Sequence, residues 1–176
     1  MTSAPILHRR AVLASALAVT TTAVPTPVHA ATPAPRLLPV LQALISAWHR
    51  LDVEGVLALV TDDIVWQNSG GYAPAIEGKP AMREALQGMA RVIRSNHWRL
   101  FDVAEAGDRL FMEGVDEFHL VSGQHIALPY AGVLEFRAAR IRRWREYYDG
   151  RLAAAMKAGG PIPAAVRQLI DRPALG

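Results

Sequence analysis

LFMEGVDEFH, residues 110–119, is the stretch whose reading decides the fold. It has the two-residue period of a β-strand: Leu110, Met112, Gly114, Asp116 and Phe118 share one face, and Phe111, Glu113, Val115, Glu117 and His119 the other. A carboxylate, Asp116, therefore stands among apolar neighbours. If that face turns inward, loss of water disfavours the charged form and raises the carboxyl pKa, which suits a general acid. If it turns outward, Asp116 serves solubility alone. Glu113 and Glu117 make the opposite face look wetter, whereas Phe111 and Val115 do not, so this strand leaves both readings open.

Strand patterns continue on both sides. Residues 97–104 lead through Gly107-Asp108 into the central strand, Ser122-Gly123 turns it into 125–136, and Ala138-Ala139 leads on to 140–148. Four successive strands with tight turns predict an antiparallel meander. Upstream, apolar residues at 37, 40, 41, 44, 45 and 48 repeat with helical spacing over 37–51. Asp52 is placed to cap a second helix over 53–60, with Glu54 in its first turn and Asp62-Asp63 at its end. Residues 64–68, IVWQN, read as a lone strand with Trp66 and Asn68 on one face, followed by a Ser69-Gly70-Gly71 turn. Pro80 opens a helix running to about Arg94, and Ser95-Asn96 closes it. Residues 150–158 give a short fourth helix, and 159–176 read as a tail that docks late or stays mobile. The order predicts an α+β fold: a curved, mostly antiparallel sheet with three to four helices, enclosing a pocket. Gly132 is the expected bend.

Residues 1–30 read as an export signal rather than as part of the domain. His8, Arg9 and Arg10 form its charged start, and 11–23 is an apolar run too short to span a bilayer. Val28-His29-Ala30 is a small-x-small cleavage pattern, which predicts cleavage after Ala30 and a periplasmic or extracellular protein. Arg9-Arg10 ahead of a weakly hydrophobic core resembles a twin-arginine signal; a general secretory signal is the alternative. Residues 31–36 are then a linker, and 37–158 the domain. Two of the 19 basic residues lie in the leader, so the rest nearly balance the 16 acidic ones. That balance argues against a nucleic-acid partner held by counterion release. Cysteine is absent, which removes disulfides, thiol catalysis and thiolate metal sites. His49, His97, His119 and His125 lack metal-ligand spacing, so no metal site is expected.

On the last strand Arg142, Trp144, Glu146 and Tyr148 alternate with Arg143, Arg145 and Tyr147. Glu146 is thus a second carboxyl between aromatics, one strand removed from Asp116 across the meander. Trp66 and Asn68 point toward the same space from the lone strand, with Met112, Gly114, Phe118, Leu128, Tyr130, Gly132, Trp144 and Tyr148 as the expected walls. Two acids in an apolar pocket beside an amide can divide the work: one protonated as acid, one ionised as base, the amide holding a water. The competing reading pairs Glu146 with Arg142 or another neighbouring arginine. The cluster Arg137, Arg140, Arg142, Arg143 and Arg145 is expected to be a solvated edge that discourages strand pairing.

IVWQN, then Gly-Gly through Glu77-Gly78 before a helix, Val115-Asp116, ALPYAGVLEF and WREYYD together resemble the limonene-1,2-epoxide hydrolase family. These belong to the wider nuclear transport factor 2-like (SnoaL-like) superfamily. The resemblance covers about residues 37–152 and implies a cone-shaped roll. It implies that Asp116 protonates an epoxide oxygen while Glu146 takes a proton from the attacking water, and that Trp66 and Asn68 stand where that water is held. It also implies a small hydrophobic substrate, no cofactor and a homodimer paired through the outer sheet face. The sequence departs from the pattern at three places: Gly114 stands where an arginine bridges the two acids, Glu146 replaces an aspartate, and Trp66 replaces a tyrosine. Gly114 is expected to widen the pocket, with Arg142 or Arg99 as substitute cations. A ketosteroid-isomerase-like or polyketide-cyclase-like enzyme, and a non-catalytic apolar-ligand module with a degenerate site, are the alternatives.

Overall fold

The computed structural model describes residues 37–68 and 73–175; the expected export signal, the linker and the Ser69-Gly70-Gly71 turn lie outside them. The chain runs α1 (Leu38–His49), α2 (Val53–Ala58), β1 (Val60–Gln67), β2 (Ile76–Glu77), α3 (Gly78–Val92), β3 (Ile93–Ala106), β4 (Arg109–Leu120), β5 (His125–Arg137), β6 (Arg140–Tyr148), α4 (Gly150–Lys157) and α5 (Ala164–Ile170). The fold is α+β, as expected. One six-stranded sheet has the order β2-β1-β6-β5-β4-β3. The meander β3–β6 is antiparallel, and β1 joins beside β6 in parallel, which sets Trp66 opposite Trp144. Helix α1 packs on β3 and α3 on β1, with α2 between them.

The pleat of β4 runs as its pattern requires: Leu110, Met112 and Phe118 are buried on the helix side, while Phe111 and Glu113 are exposed on the other. Further along, the outer face is also covered. Val115 is fully buried and Glu117 is 5 % exposed, because the C-terminal segment docks over β4 and β5. Burial alone would raise Glu117, but bonds from Arg99 and His125, both at 2.8 Å, hold its carboxyl below the usual range. The segment after Gly159 thus contributes a helix rather than a loose tail. Ile162 and Val166 are buried, Arg172 reaches Asp102 at 2.8 Å and lies over the Phe101 ring, and Leu175 N donates to Leu100 O on the edge strand.

Three boundaries differ from the sequence reading. Helix α2 ends at Ala58, and β1 already begins at Val60. Asp62 and Asp63 lie on the strand's wet side, where Lys79 (2.9 Å) and Arg137 (2.5 Å) neutralise them. Strand β3 begins at Ile93, so Ser95-Asn96 is no turn. Asn96 is buried because its Nδ2 donates to Trp48 O at 2.9 Å, the carbonyl near the end of α1. On β6, a register shift opposite Glu135 and Phe136 brings both Ile141 and Trp144 inward and sends Arg142 outward, against simple alternation.

Gly114 is a point of close approach rather than a widening. A Cβ there would stand 1.9 Å from Arg99 O on β3 and 2.9 Å from Tyr130 Oη. No side chain fits without displacing the neighbouring strand, so an arginine is excluded at this position. Gly114→Ala is expected to destabilise the protein by about 3 kcal/mol, read as a lower urea midpoint at unchanged m-value.

Candidate active site

Five strands deliver side chains to one internal cavity of two adjoining lobes. The first, about 30 Å³, is lined by Trp48, Val56, Trp66, Leu86, Trp98 and Trp144. The second, about 80 Å³, is lined by Phe118, Leu128, Tyr130, Tyr148, Ala153 and Lys157. Asn68, Met89, Asp116 and Glu146 border both. The first lobe has room for about one water. The indoles of Trp66, Trp144 and Trp98 form a continuous wall, with centroids 5.2 and 5.4 Å apart and planes 29° and 6° from parallel.

The structure brings Asp116, Glu146, Asn68 and Trp66 together at this cavity. Of the expected walls, Phe118, Leu128, Tyr130, Trp144 and Tyr148 line it, but Met112, Gly114 and Gly132 do not. Met112 fills the space above Gly132, where a Cβ would lie 2.5 Å from its Cε, and Gly114 is covered by the approach of β3. Alternation locates a residue's face but not its depth, which explains these three errors. Trp48, Val56, Leu86, Met89, Trp98, Ala153 and Lys157 went unread as lining residues. Trp98 alone had a usable signal: it falls opposite Asp116 once β3 and β4 are paired.

No arginine bonds either acid among the described residues. Arg142 and Arg145 both grip Glu135, at 2.9 and 2.8 Å, and Arg99 turns outward to Glu117. Neither Arg142 nor Arg99 therefore substitutes for a bridging cation, and the competing ion pair at Glu146 is not formed. Three of the five arginines of the basic hairpin are thus in ion pairs, with Arg137 on Asp63, while Arg140 and Arg143 are exposed as expected. Instead, Trp66 Nε1 donates to Glu146 Oε2 at 3.4 Å, which places this indole on the acid itself. Trp144 Nε1 is buried near the same carboxyl and also works to lower it, without closing a full hydrogen bond. Tyr148 Oη donates to the carbonyl of Asn68 at 2.6 Å and fixes the backbone that carries the amide.

Both acids face the cavity, and burial dominates their chemistry. It pushes Asp116 up to about 7, with Oδ1 buried and unpartnered. Burial, then the charge of Asp116, raises Glu146 to about 8 against the opposing indole N–H groups. Because the two charges repel, the pair gives up its protons in two steps, and the acid that ionises first is the one whose carboxylate is better held. The hydrogen bonds do bear on that choice. Glu146 has a donor that favours the carboxylate, whereas Asp116 Oδ1 has none.

These raised values cost stability at alkaline pH. A carboxyl stabilised in its neutral form contributes fully below its unfolded pKa near 3.8, and the contribution is lost as pH rises through about 7. Asp116→Asn is therefore expected to be more stable than the natural protein at pH 8, by about 2 kcal/mol. The advantage should vanish near pH 4, as thermal unfolding at the two pH values will show.

Several solved structures share this architecture. An LEH-like epoxide hydrolase of M. tuberculosis is 20% identical with a TM-score of 0.61, over 77% of this chain and 96% of that one. A protein of Catenulispora acidiphila with a ketosteroid isomerase-like fold, solved with trimethylamine, is 21% identical with a TM-score of 0.61, over 69% and 93%. A candidate polyketide cyclase of Pseudomonas putida is 21% identical with a TM-score of 0.57, over 65% and 92%. At these identities the likeness is one of fold. Residues 41–144, more than half of the sequence, match the family model of the SnoaL-like domain, and the chain belongs to that family.

Proposed function

We propose that the protein hydrates a small hydrophobic epoxide to a vicinal diol by one-step acid–base catalysis. The observation that carries this reading is the pair of raised carboxyls, Asp116 and Glu146, facing one indole-walled cavity beside the Asn68 amide. Asp116, neutral through burial, gives its proton to the epoxide oxygen as the C–O bond breaks. Glu146, ionised and held by Trp66 Nε1, takes a proton from the water whose oxygen attacks carbon. Both hydrogens of the diol's new groups come from water once a proton passes from Glu146 back to Asp116, so the cycle consumes only epoxide and water. The small second lobe and its apolar lining favour a compact substrate. Asn68 supplies the amide that orients the water, and Trp66 acts on Glu146 rather than on the water, since its N–H can only donate.

Proton transfer of the isomerase or cyclase kind is the second reading, because Tyr130, whose O–H is not committed to a protein acceptor among the described residues, lies beside the same acids and can hold a developing enolate. Exposed Phe111 and Tyr147 on the outer sheet face support pairing of two copies as part of the same proposal.

The deciding experiment supplies terpene, cyclohexene and styrene oxides in ¹⁸O-labelled water and follows diol formation. Asp116→Asn and Glu146→Gln are each expected to lower turnover by about a thousandfold or more with the fold intact, and Asn68→Ala by about tenfold. No diol from any oxide, together with binding of the same compounds, would overturn the hydrolase in favour of a ligand-holding module. With one proton shared by the pair, the rate should rise and fall around pH 7 to 8 and lose activity on both sides.

A further inference from the structure

Tyr130 takes no part in the proton transfers above, yet it is tightly held beside them. Trp98 Nε1 donates to Tyr130 Oη at 2.6 Å, and the two rings meet edge to face at 6.1 Å. Both residues are buried. One acceptor site of the oxygen is therefore taken, and its own hydrogen is left to point elsewhere. The hydroxyl has room because position 114 is glycine: a Cβ there would crowd it at 2.9 Å. Gly114 is the register partner of Tyr130, and Asp116 is the next inward residue along β4, so the phenol lies diagonal to it. Tyr130, Asp116 and Glu146 line the same lobe. Burial, together with the charges of Glu146, Asp116 and Glu113, pushes ionisation of the phenol far up, so it keeps its hydrogen. Asp116 Oδ1, meanwhile, is buried and bonded by no donor among the described residues, the phenol included.

We propose that Tyr130 is a positioning residue for the acid pair: held by Trp98 and bonded to neither acid in this structure, its O–H closes on the carboxylate that carries the pair's single charge once the pair ionises. The proposal rests on the acid–base reading of Asp116 and Glu146. A hydrogen bond to an ionised acceptor is among the stronger ones, and it lowers the first ionisation of the pair. Unlike a fixed cation, a neutral donor leaves the charge of the site to the pH. The groups that face Tyr130 are Asp116 from β4, Glu146 and Tyr148 from β6 and Lys157 from α4. Helices α1, α2 and α3 present Trp48, Val56, Leu86 and Met89, and β1 presents Trp66 and Asn68. Glu113 acts on it from the outer side of β4.

The test is an infrared titration of the protonated-carboxyl band on the whole protein without substrate, with Asp116→Asn and Glu146→Gln assigning the signals. In Tyr130→Phe the first ionisation should move up by about one pH unit. The acid limb of any rate profile should move with it, kcat falling about tenfold and KM holding. Because that variant strands the Trp98 N–H, Trp98→Phe/Tyr130→Phe removes both partners and should show the same shift. A titration unchanged in both variants overturns the proposal, even if their stability drops. A shifted titration in a protein that forms no diol sustains the placement of Tyr130 and overturns the hydrolase instead.

Discussion

Taking two carboxyl groups out of water into one apolar hollow is unfavourable, and much of this structure is arranged around holding them there. Strand β5 sets their separation: Asp116 lies on one of its neighbours, β4, and Glu146 on the other, β6. The parallel seat of β1 beside β6 then stacks Trp66 on Trp144 and carries Asn68 to the cavity edge. The neighbouring arginines are committed elsewhere. Arg142 and Arg145 are spent on Glu135, and Arg99 on Glu117, all on the outer face. Left without a guanidinium, the acids hold both protons well above the usual carboxyl range, and the pair gives up the first of them only around pH 7.

Asp116 and Glu117 show how sharply the pleat controls this chemistry. They are consecutive residues of the same type of acid, and one peptide unit turns them to opposite sides of the sheet. Asp116 meets an apolar cavity and is raised to about 7. Glu117 is also buried, but it meets Arg99 and His125 and is lowered. Burial alone raises a carboxyl, as at Asp116; at Glu117 two basic donors within hydrogen-bond reach reverse the sign. The docked C-terminal helix matters here too, since it covers the face on which Glu117 and its partners sit.

Much of this was legible in the residues. The period of β4 put Asp116 on one face with Leu110, Met112 and Phe118, WREYY put Glu146 among aromatics, and the turn residues pointed to the meander. Reading failed where a distant part of the chain overrides a local preference. Asn96 looks like a turn residue until its Nδ2 meets the Trp48 carbonyl, and Asp62-Asp63 looks like a terminator until Lys79 and Arg137 neutralise it. A bulge on β5–β6 defeats alternation at Arg142. The helix over 164–170 hides in a segment rich in proline and alanine, whose few apolar residues mean little without the sheet face they cover. Gly114 is the clearest case: a missing side chain reads as empty space in one dimension and as contact between strands in three.

The four tryptophans of the chain, Trp48, Trp66, Trp98 and Trp144, all border the first lobe of the cavity. Intrinsic fluorescence of this protein is therefore an optical signal of that single place, free of background from indoles elsewhere. Quenching by a neighbouring acid depends on its protonation, and exciton coupling between stacked rings responds to small changes in their tilt. Occupancy and ionisation of the hollow can thus be watched in the unlabelled protein, through emission and circular dichroism, before any substrate is known.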